Sequence, residues 1–182
     1  MKKVVLILII LMLVSTVGAQ QFWYTVGADR SFSDLSFNIN NEMRFDQGLY
    51  YEHTELNFKY ALSKLLAVSL TYRKIGGNYD EHRPMINGHV TYKIGKLKLT
   101  DRNRFEYRVK EDQSNQLRYR NKLKVSFYGF YVADEIYLDP GLYRNRLYFG
   151  YSTKTTVKLG TFYLIQKTGD RSIRVIGLSI GL

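Results

Sequence analysis

Residues 117–127 read LRYRNKLKVSF. Leu117, Tyr119, Leu123, Val125 and Phe127 fall on one side of an extended chain, and Arg118, Arg120, Lys122, Lys124 and Ser126 on the other. A strand sends successive side chains to opposite faces, whereas a helix repeats every 3.6 residues. A basic row alternating this strictly with an apolar row is therefore a β-strand with two chemically opposed faces. The exception is Asn121, which falls among the apolar residues.

The same period extends along the chain. Leu56, Phe58, Tyr60 and Leu62 oppose Glu55, Asn57 and Lys59. Leu66, Val68, Leu70 and Tyr72 oppose Ala67, Ser69, Thr71 and Arg73. Ile176, Leu178, Ile180 and Leu182 oppose Val175, Gly177, Ser179 and Gly181. In the Leu97–Val109 strand, Asp101 and Asn103 fall on the apolar face. A β-bulge, a position near an interface or a different register would each account for them.

Turn residues divide these runs: 46–48, 63–64, 76–84, 94–96, 110–115, 128–129, 139–141, 152–155 and 167–172. Most carry the Gly, Pro, Asn or Asp that special backbone angles require. Nine turns separate ten strands of about 9–13 residues, the length of a tilted strand that crosses a bilayer. Working back from Leu182 with even parity and both termini on one side, the first strand begins near Leu35. Twelve strands is the alternative. Residues 20–34 are left as a lumen plug or an extra strand, the second because Phe22-Trp23-Tyr24-Thr25-Val26 is strand-like.

The N-terminus sets the compartment. Lys2 and Lys3 precede an unbroken apolar run from Val4 to Val14, and Val17-Gly18-Ala19 follows. That is the pattern of a secretory signal cleaved after Ala19, and the run is short for a membrane span. The 182 residues carry 27 Lys+Arg against 16 Asp+Glu, a formal net charge of +11, with no cysteine. A disulfide scaffold and a thiolate metal site are thereby excluded. The basic balance would suggest nucleic acid, but export removes that partner. Apolar faces with many Tyr and Phe near strand ends fit the aromatic girdles of membrane barrels. Placing each Arg or Lys of the charged rows against lipid would cost about 2–4 kcal/mol at the bilayer midplane. The expected fold class is therefore all-β, a transmembrane antiparallel up-and-down β-barrel over 35–182. Its apolar faces meet outer-membrane lipid and lipopolysaccharide, and its charged rows line the lumen.

Four segments, LTDRNRFEYR, LRYRNKLKVSF, FYVADEIYL and YRNRLYFGYSTKTTVKLGTFYLIQK, carry a family likeness. Arg102, Arg104, Glu106 and Arg108 form an R-x-R-x-E-x-R strand; Arg118, Arg120, Asn121 and Leu123 an R-x-R-N-x-L strand. Glu135 is a central strand Glu, and Arg144, Asn145, Arg146 and Leu147 an R-N-R-L strand before a final hairpin. In these the chain resembles an uncharacterised family of small Gram-negative outer-membrane barrels, of the domain of unknown function 2490 type. The resemblance implies fold and location, and no activity. The chain ends in Leu182, where many outer-membrane proteins end in Phe for the barrel-insertion machinery.

The expected site is a lumen charge network: Arg102, Arg104, Arg108, Arg118, Arg120, Lys122, Lys124, Arg144 and Arg146, with Glu52, Glu106 and Glu135 interleaved. Its plainest role is structural, filling a narrow barrel with salt bridges. The basic excess also suits a narrow anion-preferring pore or small-anion site, since Arg forks fit carboxylate and phosphate. A lipid-modifying enzyme is the third reading, and it lacks a nucleophile–base constellation. His82 is expected in the longest loop with Asp80 and Glu81, while Ser69 and Ser126 lie far along other strands. No metal or other cofactor is expected, because neither a phosphate loop nor a zinc-ligand spacing occurs.

Overall fold

The computed structural model describes residues 20–46, 49–77, 80–111, 113–153 and 157–182, so the expected signal segment 1–19 lies outside the described residues. Eleven strands close into one barrel: β1 Gln21–Phe32, β2 Leu35–Phe45, β3 Leu49–Ala61, β4 Leu66–Gly77, β5 Glu81–Ile94, β6 Leu97–Lys110, β7 Gln116–Phe127, β8 Phe130–Asp139, β9 Leu142–Ser152, β10 Lys158–Thr168 and β11 Arg171–Gly181. Each is antiparallel to its chain neighbour. The barrel closes between β1 and β11, which are parallel, with Trp23 beside Gly177 and Gly27 beside Gly181.

The count of eleven corrects ten, and equally twelve. Even parity assumed that every junction is antiparallel. Here Gln20 N–H donates to Arg174 C=O at 2.9 Å and Leu182 N–H to Gly27 C=O at 2.9 Å. Those bonds draw residues 21–32 into the wall as an eleventh strand beside the last one. The turn missing from the sequence reading is Ser33-Asp34, with Ser33 at φ 51°.

The turn between β7 and β8 needs a left-handed backbone at two consecutive positions. Tyr128 and Gly129 have φ 49° and 89°, and join the directly paired Phe127 and Phe130. Two consecutive positive φ values are the two-residue hairpin whose twist matches that of the strands. The segment 76–84, expected as the longest loop, is mostly strand. Tyr72 pairs with Pro84 and Ile75 with Glu81, so β4 extends to Gly77 and β5 starts at Glu81. Pro84 has no N–H to donate, and the β5–β6 register skips from His82 to Met85.

The wall is inverted relative to a water-soluble protein. Outward residues such as Leu70 (64% exposed), Leu117 and Phe105 are apolar and open, whereas inward Glu81, Glu106 and Glu135 are sealed. No bulge re-aims Asp101, Asn103 and Asn121: the β6–β7 register is unbroken from Leu97 to Arg108. They stay on the outer wall and satisfy one another, Asn121 Nδ2 donating to Asp101 Oδ1 at 2.6 Å and Asn103 Nδ2 to Asp101 Oδ2 at 2.8 Å.

Candidate functional site

Strand register places the charged rows inside and opposite one another. Arg104 on β6 pairs with Arg120 on β7, Glu106 with Arg118, and Arg102 with Lys122. Lys122 in turn faces Glu135 on β8, and Glu135 faces Arg146 on β9. Like charges side by side repel, so each carboxylate must serve several cations.

Three buried glutamates do this. Glu81 accepts from Arg83 (Nε–Oε1 2.8 Å, Nη2–Oε2 2.8 Å) and from Arg108 (Nε–Oε1 2.6 Å, Nη2–Oε2 3.1 Å). Glu106 holds Arg118 through Nε at 2.7 Å and Arg120 through Nη1 at 2.5 Å, with Arg104 Nη1 at 3.6 Å. Glu135 accepts from Arg102 and Arg120, both at 2.6 Å, and from the hydroxyls of Tyr137 at 3.0 Å and Tyr148 at 2.8 Å. Charge-assisted, forked bonds of this kind are about twice as strong as neutral ones and fix the guanidinium planes.

The remaining cations find other supports. Lys122 Nζ stands 3.9 Å from Glu135 and 3.7 Å above the Tyr148 ring, and Lys124 Nζ 3.8 Å above Tyr131. Arg146 donates from Nε to Gln166 at 2.6 Å and from Nη1 to the Tyr137 hydroxyl at 2.5 Å. Arg144 has no ion pair among the described residues, and its buried Nε has no hydrogen-bond partner.

Glu52 is a correction. It pairs with Met43 and Gly76 and shares the face of Leu56 and Phe58, so it stands exposed on the outer wall. Counting by twos from Leu56 already puts Glu52 with the apolar residues and Glu55 with the charges. Glu55 does lie inside, accepting from Arg73 Nε at 2.9 Å. The same counting would have found Glu42, Arg44, Arg83 and Asp139, all inward and absent from the expected network. Glu42 holds Arg44 at 2.6 Å, and Asp139 lies 3.4 Å from Arg118 Nε.

Two adjoining chambers among the described residues lie within the charge network. The upper one, toward the ends of β2, β4, β6, β8 and β10, has a volume of about 160 Å³ and is lined by eight arginines with Tyr51 and Tyr137. The lower one, about 230 Å³, adds Glu42, Glu55 and Glu135, the aromatics Trp23, Tyr131, Tyr148 and Phe162, and Lys122 and Lys124. Arg44, Arg73, Arg120 and Arg146 line both and form the partition between them.

One further pair emerges from the fold. Ser69 Oγ lies 3.1 Å from His89 Nε2 and accepts from Asn87 Nδ2 at 2.9 Å, and Asn87 Oδ1 accepts from Arg104 Nε. Ser69 lies far from His82 along the chain, and the β4–β5 register sets it beside His89 instead. Neither chamber is lined by Ser69 or His89. His82 stands on the opposite face, its Nδ1 bonded to the Tyr72 hydroxyl.

No curated protein and no solved structure matches this chain. Residues 20–174, which span β1 to the start of β11 and contain every charged group of the network, match a family described as a protein of unknown function, DUF2490, and the chain belongs to that family.

Proposed function

We propose that this protein is an integral β-barrel of the bacterial outer membrane whose interior is an ionic network closed to free solute flow. The observation that carries the reading is the inverted wall. Outward Leu, Ile, Val and Phe are exposed on β1 through β10 while Glu81, Glu106 and Glu135 are fully enclosed. In water such a wall would leave a large contiguous apolar surface, which soluble monomers avoid; against lipid it is the favourable arrangement. Strands of 10–14 residues suit the thickness of a bilayer at a membrane-barrel tilt. The basic and apolar N-terminus supplies an export route. Lipid and lipopolysaccharide are then the partners of the wall, and the barrel-insertion machinery the agent of assembly.

Closure of the interior follows from the partition. Arg44 on β2 and Arg146 on β9 reach toward each other over the Trp23 ring, at 3.8 Å and 5.0 Å from its centroid. Arg120 meanwhile ties Glu106 on β6 to Glu135 on β8. Barrels of about eight strands are filled by their own side chains and those of 16–18 leave a channel. Eleven strands filled with arginines lie at the closed end of that range. A lipid-modifying enzyme is less well supported, because the Ser69–His89 pair points inward, away from the wall that would meet lipid.

Membrane fractionation and planar-bilayer recording test both halves of the proposal. The protein is expected in outer-membrane fractions with heat-modifiable gel mobility, and silent in bilayers. A soluble periplasmic protein overturns the location. Sustained current steps overturn the closed interior. Altered lipid A or phospholipids in cells lacking the protein would favour the enzyme.

A further inference from the structure

We propose that the upper chamber is a binding site for a doubly charged tetrahedral oxyanion of the phosphate class. The inference concerns the interior alone and holds whatever surrounds the wall.

The two chambers differ in one respect that selects the ligand. In the lower chamber, arginines face Glu42, Glu55 and Glu135 across the same space, so their charge is met within it. The upper chamber has no carboxylate in its lining. The acids that hold its arginines lie behind them. Glu81 clamps both Arg83 and Arg108, one carboxylate against two guanidiniums, while Glu106 clamps Arg118 and Arg120 with support from Asp139 and Glu135. Arg144 and Arg146 have no carboxylate partner among the described residues, and Arg146 spends its bonds on neutral Gln166 and Tyr137. The chamber is thus left with a positive surplus on groups already fixed in place.

Unspent donors point to a ligand of the same chemistry. The buried Nε atoms of Arg120 and Arg144 have no hydrogen-bond partner, although Arg120 is only 6% exposed. Leaving such donors unsatisfied is costly, more so where the group is charged. A tetrahedral oxyanion satisfies several at once, because guanidinium forks match its oxygen spacing. A phosphate monoester carries about −1.5 to −2 at neutral pH, which answers the surplus better than chloride does. A structural network alone would call for carboxylates facing the chamber, as in the lower one.

Trp23, the only tryptophan, supplies the readout. Arg44 and Arg146 line the chamber and also lie over its ring, so an anion that draws them should change its fluorescence. Purified barrel in non-ionic detergent is titrated with inorganic phosphate, with glycerol 3-phosphate, and with phosphatidic acid in mixed micelles, chloride holding the ionic strength constant. A saturable change is expected with phosphate and none with chloride. Arg144→Gln should weaken it at least tenfold while heat-modifiable mobility is kept, since Arg144 holds no ion pair. Arg144→Lys should recover part of the loss. Saturation by glycerol 3-phosphate alone identifies a soluble monoester, and saturation by the micelles alone identifies a lipid headgroup. No saturation by any of the three overturns the site, as does saturation that Arg144→Gln leaves unchanged.

Discussion

Two sectors of the same interior are built on opposite chemistry. Along β5–β9 the inward positions are dominated by Arg, Lys and Glu, with several of the arginines held by forked ion pairs. Across the closing strands β10, β11 and β1 they include Leu164, Val175 and Trp23, which form a small apolar core with Ala133 and Tyr148, Phe162 packing against it. The first sector is joined by hairpins, so register fixes its pairs and charge can be distributed along it. The second joins the two ends of the sheet, with no turn between β1 and β11. There, packing replaces connectivity. Trp23 meets Phe162 edge to face at 6.2 Å, and the Phe162 ring lies over Gly177, where a Cβ would strike it. A barrel can thus carry a charged interior only if some other sector ties its edges together.

Substitutions should separate the two sectors in stability, read as the urea midpoint of the barrel in detergent. Glu106→Gln should cost most, about 3–5 kcal/mol, because Arg118 and Arg120 lose their shared partner while remaining buried. A loss below about 1 kcal/mol would mean that water reaches these groups freely. Leu164→Ala, at a fully buried position, should cost about 2–5 kcal/mol through lost burial and the cavity left behind. High salt should not rescue it, since no charge is involved. Gly177→Ala should cost about 1–3 kcal/mol by overpacking against Phe162; restoration by Phe162→Leu in the same chain would confirm the contact. Glu52→Gln should change the midpoint by less than about 0.5 kcal/mol, as expected of an exposed group outside the network. An effect matching that of Glu106→Gln would return Glu52 to the interior.

The difference between the sectors also explains what the sequence revealed. Alternation in residues 117–127 carries the strand, its faces and its basic row, because period two is a local property. Pairing is not local. Residues 21–32 alternate as clearly as any others, with Phe22, Tyr24 and Val26 outward. Their partner β11, however, lies at the far end of the chain, and parity drawn from hairpins alone cannot supply a parallel junction. Glu52 is a smaller case: period two, carried from Leu56 to the turn, puts it on the outer face, while the charge of its side chain alone suggests the inner one. The Ser69–His89 contact and the partition between chambers depend on which strands are neighbours and how far long side chains reach. No spacing in the sequence encodes either.

The parallel junction has a consequence for assembly. Ten of the eleven contacts around the barrel can form by zippering consecutive hairpins, each closing a short loop. The β1–β11 contact must instead bring together segments separated by almost the whole folded chain, at a much larger entropic cost. That cost favours forming it after the hairpins are in place. While it is open, two strand edges offer their unpaired N–H and C=O groups to any neighbouring strand. The order of events would make this junction both the checkpoint of folding and the point where two copies could exchange strands.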